Sequence, residues 1–144
     1  MDSELMDYLK TSLDNENNEC IFNLTNSIIK ERKENIISEL PISKKYKKEL
    51  LKKLDNYRYI DEIQEFHIGC HIRWIKIDNP EEIKLTNGAI LISIEFNDNI
   101  SLLCKNSMNR HFTINFNKNL IFQKLTLQEQ IILYSIDNID KIKE

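Results

Sequence analysis

Histidine, cysteine and clustered lysine are the residue types in this chain that could bind or transform a ligand. His67 and His71 lie four residues apart in a stretch that alternates apolar and polar side chains. If that stretch is a strand, they share a face about 13 Å apart, too far to ligate one metal ion together. His111 could approach either across a sheet, but no acidic or cysteine ligand stands at a useful spacing. Neither Cys70 with His71 nor Cys104 with His111 makes a nucleophile–base pair. Strand neighbours point to opposite faces, and Cys70 falls on the apolar side, where thiolate formation is disfavoured. Glu81 and Glu82 follow Pro80 in a loop and read as solvated carboxylates. Gly69 and Gly88 are the chain's two glycines, so a glycine-rich phosphate loop cannot be built. The expectation is a non-enzymatic protein with no catalytic residue, no metal and no cofactor.

Two surfaces remain as candidates for binding. The first is a basic run of Lys44, Lys45, Lys47, Lys48, Lys52 and Lys53. Residues 1–40 carry 9 acidic and 4 basic side chains, residues 41–59 carry 2 and 7, and residues 60–144 carry 12 and 9. The cationic charge is therefore local, and it could meet phosphates or an acidic partner. A solvated face is the plainer reading, because no arginine lies within the run to fork a phosphate and aromatics are sparse. The second surface is the polar side of the alternating stretch, with His67, His71 and Arg73, joined by His111. Trp74 continues the apolar side and reads as a core anchor, with an exposed binding platform as the other possibility. A one-residue slip there would exchange Arg73 and Trp74 between faces.

The elements that position these residues follow from periodicity. Phe66, Ile68, Cys70, Ile72 and Trp74 alternate with His67, Gly69, His71 and Arg73, which predicts a half-buried strand. Asp78-Asn79-Pro80 stops it, since proline has no N–H for a ladder. Asn87-Gly88 is a turn or bulge signal. Beyond it, Ile90, Ile92, Ile94 and Phe96 are expected to face inward, then Ile100, Leu102 and Cys104, then Phe112, Ile114 and Phe116, and finally the run Leu120 to Phe122. Polar breaks at residues 97–99, 106–109 and 117–119 separate these runs. About five short strands at near-regular spacing favour a small antiparallel β-barrel of SH3-like size. Helices are expected at residues 3–13, 19–40 and 43–54, the last capped by Ser43. A C-terminal helix opens on a capping box, Thr126 with Glu129.

The fold class expected is thus α+β. A helical N-terminal region (1–59) precedes a β-barrel-like core with its closing helix (60–144), and the two form one compact domain. The chain has 144 residues, 41% hydrophobic and 30% charged, with net charge −3. That length supports a core without staples. The charge makes no global case for nucleic acid. No apolar run reaches the length of a membrane span, and the acidic N-terminus lacks the pattern of a secretory signal. Cys20, Cys70 and Cys104 lack metal spacing, and reduced thiols in an intracellular setting are expected. Ile, Asn and Lys are abundant and use A/T-rich codons, so part of the lysine content reflects composition rather than binding.

Three runs carry a resemblance: Ile68-Gly-Cys-His-Ile-Arg-Trp-Ile, Lys84-Leu-Thr-Asn-Gly-Ala-Ile-Leu, and Phe122-Gln-Lys-Leu-Thr-x-Gln-Glu-Gln. They resemble small proteins of large nucleocytoplasmic DNA viruses, the mimivirus-like group, over roughly residues 66–139. The resemblance implies a viral origin and a virion or host-cytoplasm location, and it implies no reaction. The function expected is a protein-interaction or structural module whose partner is another protein. The alternative is a nucleic-acid-associated protein using the basic helix at 44–53.

Overall fold

The computed structural model describes residues 3–14 and 24–143. Cys20, and the first part of the helix expected over 19–40, lie outside them. The element order is α1 (Ser3–Asp14), α2 (Asn26–Ser38), α3 (Lys44–Lys53), β1 (Tyr57–Ile60), β2 (His71–Lys76), β3 (Ala89–Phe96), β4 (Ile100–Lys105), β5 (His111–Asn115), β6 (Asn119–Lys124) and α4 (Leu127–Lys143). The class is α+β, and the chain divides into two compact units, residues 1–32 with 125–144, and residues 33–124. No described helix is long and apolar enough to cross a membrane.

The smaller unit is helical. Its core is Leu24, Ile29, Ile132 and Leu133, with Ile28, Leu125 and Ile136 packed around them. The starts of α2 and α4 are set by local chemistry. Thr25 Oγ1 accepts from the Ile28 N–H at 3.1 Å and caps α2. At α4 the box is reciprocal: the Thr126 N–H donates to Glu129 Oε1 and the Glu129 N–H to Thr126 Oγ1, each at 3.0 Å.

The larger unit is built on a six-stranded antiparallel sheet in the order β1-β6-β2-β3-β4-β5. One face packs on α2, α3 and the residues just after each: Ile37, Leu40, Leu50 and Leu54 meet Ile75, Ile83, Leu120 and Phe122, flanked by Tyr57 and Tyr59. Ser43 caps α3, accepting from the Tyr46 N–H at 3.2 Å. At the other end of α3 the buried Lys33 ammonium donates to the Leu54 and Asp55 carbonyls, at 2.7 and 3.3 Å. It satisfies carbonyls that have no partner within the helix and places a cation at the negative end of its dipole. The other sheet face gathers Ile72, Ala89, Leu91, Leu102, Cys104 and Ile121, with Trp74, Ile94, Phe112, Ile114 and Phe116 around them. Trp74 is thus on the core side, its ring 5.7 Å from that of Phe112.

Four expectations need correction. The sheet is not a closed barrel. β1 and β5 are its two edges and do not pair, because β6 returns between β1 and β2 rather than joining the last strand to the first. The sheet does curl: Trp74 on β2 and Phe112 on β5 touch although β3 and β4 lie between them. The described residues form six strands, since Tyr57–Ile60 pairs with β6 despite its weak alternation.

The strand expected from Phe66 to Trp74 starts only at His71. Gly69 adopts φ +92°, and the Cys70 N–H bonds back to the His67 carbonyl at 3.2 Å, so the chain turns there and leaves Ile68 59% exposed.

On β3 the inward set is Ala89, Leu91 and Ile94, not Ile90, Ile92, Ile94 and Phe96. A bulge between Leu91 and Ser93 shifts the register by one residue, so the face changes partway along the strand. Ile90 is 43% and Phe96 68% exposed as a result. On β4 and β5 the expected alternation holds, with Leu102 and Cys104 buried and Phe112, Ile114 and Phe116 packed on the same core.

Candidate functional site

A row of paired residues crosses the whole sheet. Tyr57 on β1 faces Lys124 on β6, His71 on β2 faces Ile90 on β3, Ile90 faces Lys105 on β4, and Lys105 faces His111 on β5. The β2–β6 ladder ends with Ile72 facing Gln123, and the next residues beyond it, His71 and Lys124, are close enough for the Lys124 charge to act on the imidazole. Cross-strand partners share a face, so this row places Lys124, His71, Lys105 and His111 on one side of the sheet. Arg73 lies one pleat further along β2, also on that side.

A recess of about 300 Å³ opens on this row, lined by His71, Asn87, Gly88, Ala89, Ile90, Lys105, Asn106 and Ser107. Its wall near β2 is rigid. The Thr86 N–H bonds to the Trp74 carbonyl at 3.0 Å, the Trp74 N–H donates to Thr86 Oγ1 at 3.2 Å, and Arg73 Nε donates to the Thr86 carbonyl at 2.8 Å. Gly88 follows with φ +87°. A Cβ there would overlap the Ile72 carbonyl and lie 2.6 Å from His71 Cε1, so only glycine allows so close an approach. The far wall is the β4–β5 turn. Asn106 Oδ1 accepts from the Met108 and Arg110 N–H groups at 2.9 and 3.0 Å, which holds the turn and fixes the carboxamide.

His71 is half-buried, and its Nδ1 shares a 2.9 Å hydrogen bond with the Tyr57 hydroxyl. Burial, then Arg73 and Lys124, hold the imidazole below its ordinary value of 6.5. Burial also raises the Tyr57 phenol, against an opposing effect of Arg73. At neutral pH the pair is therefore a neutral imidazole against a protonated phenol.

The residues singled out in the sequence part company. His71 and Arg73 sit together, and His111 ends the same row at the exposed edge. His67 does not join them, since it precedes the turn at Gly69. Its N–H donates to Gln123 Oε1 at 2.7 Å, beside a buried pair in which Arg58 Nη1 meets Glu65 Oε2 at 2.7 Å. On α3, Lys44, Lys45, Lys48, Lys52 and Lys53 are exposed, whereas Lys47 Nζ donates to the Ser38 carbonyl at 2.8 Å. Burial pushes the Cys104 thiol up to about 11, so it packs as a small hydrophobe. Among the described residues, no three His, Cys, Asp or Glu side chains converge to hold a metal ion.

Tyr57, Lys105, Lys124, Asn87, Asn106 and Ser107 were not singled out by sequence. The outward place of Lys105 was readable, because it alternates with Leu102 and Cys104 on β4. Nothing local marks Tyr57 or Lys124, which join the row through pairing between distant segments. Compared with protein-family models, curated proteins and solved structures, the chain matches none.

Proposed function

We propose that this chain is a non-enzymatic interaction module that receives an acidic segment of another protein on the cationic row of its sheet. The supporting observation is the row itself: Lys124, His71, Lys105 and His111 lie in register with no Asp or Glu among them, and Arg73 is adjacent. The charges of Lys105, Lys124 and Arg73 gathered on one face cost stability, and an acidic partner offsets that cost while gaining orientation and speed of encounter.

The test is titration of the full chain with a glutamate-rich peptide at low and at near-physiological salt. Binding should weaken as salt rises, and Lys105→Glu with Lys124→Glu should abolish it. Equal binding by that double variant would sink the proposal. A second reading rests on the five exposed lysines of α3, which offer a phosphate-tracking face to nucleic acid. Duplex DNA bound by the full chain and lost on replacing Lys44, Lys45, Lys48 and Lys52 with glutamine would favour it.

A further inference from the structure

We propose that the recess at the centre of this row is a binding site for a single oxyanion group, carboxylate or phosphate, and that His71 takes up a proton as the anion enters. The proposal rests on the reading above, because it identifies what the acidic partner would insert.

The lining argues for an anion. Lys105 brings a permanent charge, and none of the lining residues is a carboxylate. The polar groups beside it can donate. Asn106 Oδ1 is already engaged by two backbone N–H groups of its turn, so the group it offers is its NH2. Asn87 and Ser107 add an amide and a hydroxyl. The volume, about 300 Å³, lies at the lower end of small-molecule sites, which run to roughly 1,000 Å³. That suits one anionic group rather than an extended ligand.

The geometry at His71 makes binding and protonation one event. Its Nδ1 is bonded to the Tyr57 hydroxyl, a group that can donate to the neutral ring or accept from the charged one. Protonation therefore breaks no hydrogen bond, and its cost is electrostatic. The titratable and charged groups around the ring are Tyr57 from β1, Arg73 on β2 itself, Lys124 from β6 and Lys105 from β4, while the β2–β3 connection and β3 contribute the uncharged Asn87, Gly88 and Ile90. Three of the four neighbours are cations. Burial first, then Arg73 and Lys124, keep His71 neutral when the site is empty, and an anion beside the ring reverses the balance. By linkage, whatever raises proton affinity at His71 on binding must raise anion affinity on protonation by the same factor.

Sulfate is the probe, because its charge does not change between pH 5.5 and 8. The full chain is titrated with sodium sulfate, and with chloride at equal ionic strength, while the three histidine rings are followed by NMR. Sulfate should raise the His71 pKa by about one unit, and its affinity should be about tenfold higher at pH 5.5 than at pH 8. The His67 and His111 signals should respond equally to sulfate and chloride. His71→Gln should flatten the pH dependence, and Lys105→Gln should weaken binding throughout the range. A His71 pKa that is the same in sulfate and chloride overturns the proposal, and this measurement needs no variant to fold. Glutamate-rich and phosphoserine peptides then decide which oxyanion the site takes. A peptide that binds through Lys105 and Lys124 with no sulfate response at His71 leaves the interaction module standing and removes this site. A sulfate response without binding of either peptide does the reverse.

Discussion

The two halves of the sheet obey different rules. β6 and β2 are buried on both faces, with Ile75, Leu120 and Phe122 in the helix-covered core and Ile72 and Ile121 in the opposite one, and on β1 Tyr57 and Tyr59 flank the first core while Arg58 and Ile60 are buried. β3, β4 and β5 are buried on one face, and their other side offers Ser93, Glu95, Ser101, Leu103, Lys105, His111 and Thr113. The contrast shows where binding groups can stand. A strand covered on both sides has little exposed face for polar side chains, whereas a strand covered on one side presents every second residue to a ligand. The recess lies where the two halves meet, at the β2–β3 junction. There His71, from the doubly covered half, faces Ile90 of the open half.

The largest effect should come from truncating the doubly covered half. Phe122 is fully buried, and Phe122→Ala should cost about 3–5 kcal/mol. Phe96→Ala, on the open half with the ring 68% exposed, should move stability by about 0.5 kcal/mol or less. Denaturant titration giving similar losses for both would remove the distinction between the halves.

Next comes Ile94→Ala, which tests the bulge. Ile94 packs on the core only because the register shifts between Leu91 and Ser93. Its partial exposure puts the loss near about 2 kcal/mol, the low end for such truncations. Ile90→Ala, one face away, should cost less. A larger loss at Ile90 than at Ile94 would contradict the bulged register.

A smaller, pH-dependent effect belongs to His71 at the junction. Its pKa is lowered on folding, from 6.5, so the folded chain holds fewer protons there than the unfolded one. Its contribution is intact above about 6.5 and is lost as pH falls through the lower, folded value. Thermal melts from pH 8 to pH 5 should show a steeper decline in the parent than in His71→Gln, and sulfate should lessen that decline. Parallel profiles for the two proteins would rule the linkage out.

The smallest change in stability should follow replacement of Lys44, Lys45, Lys48 and Lys52 by glutamine, about 0.5 kcal/mol or less for each of these exposed lysines. If α3 does contact phosphates, about four contacts give a log–log salt slope near −3 to −4 on duplex DNA, and the variant should flatten it. Unchanged affinity and slope would leave the sheet as the binding surface.

Local chemistry is what the chain's letters determine. Ser43 caps α3, and Thr126 with Glu129 opens α4, because each bond joins residues three apart in sequence. Alternation on β4 and β5 is equally legible, since one face is buried and period two survives. The same logic fails on β6, where Leu120 to Gln123 are all buried and no alternation remains, and on β3, where one extra residue inverts the phase. Only tertiary structure decided that the sheet stays open, that Tyr57–Ile60 is a strand, and that Tyr57, Lys124, His71, Lys105 and His111 stand in one row. Each depends on hydrogen-bond pairing between segments far apart in the chain, and a strand's pattern records which face is buried without recording which strand lies beside it.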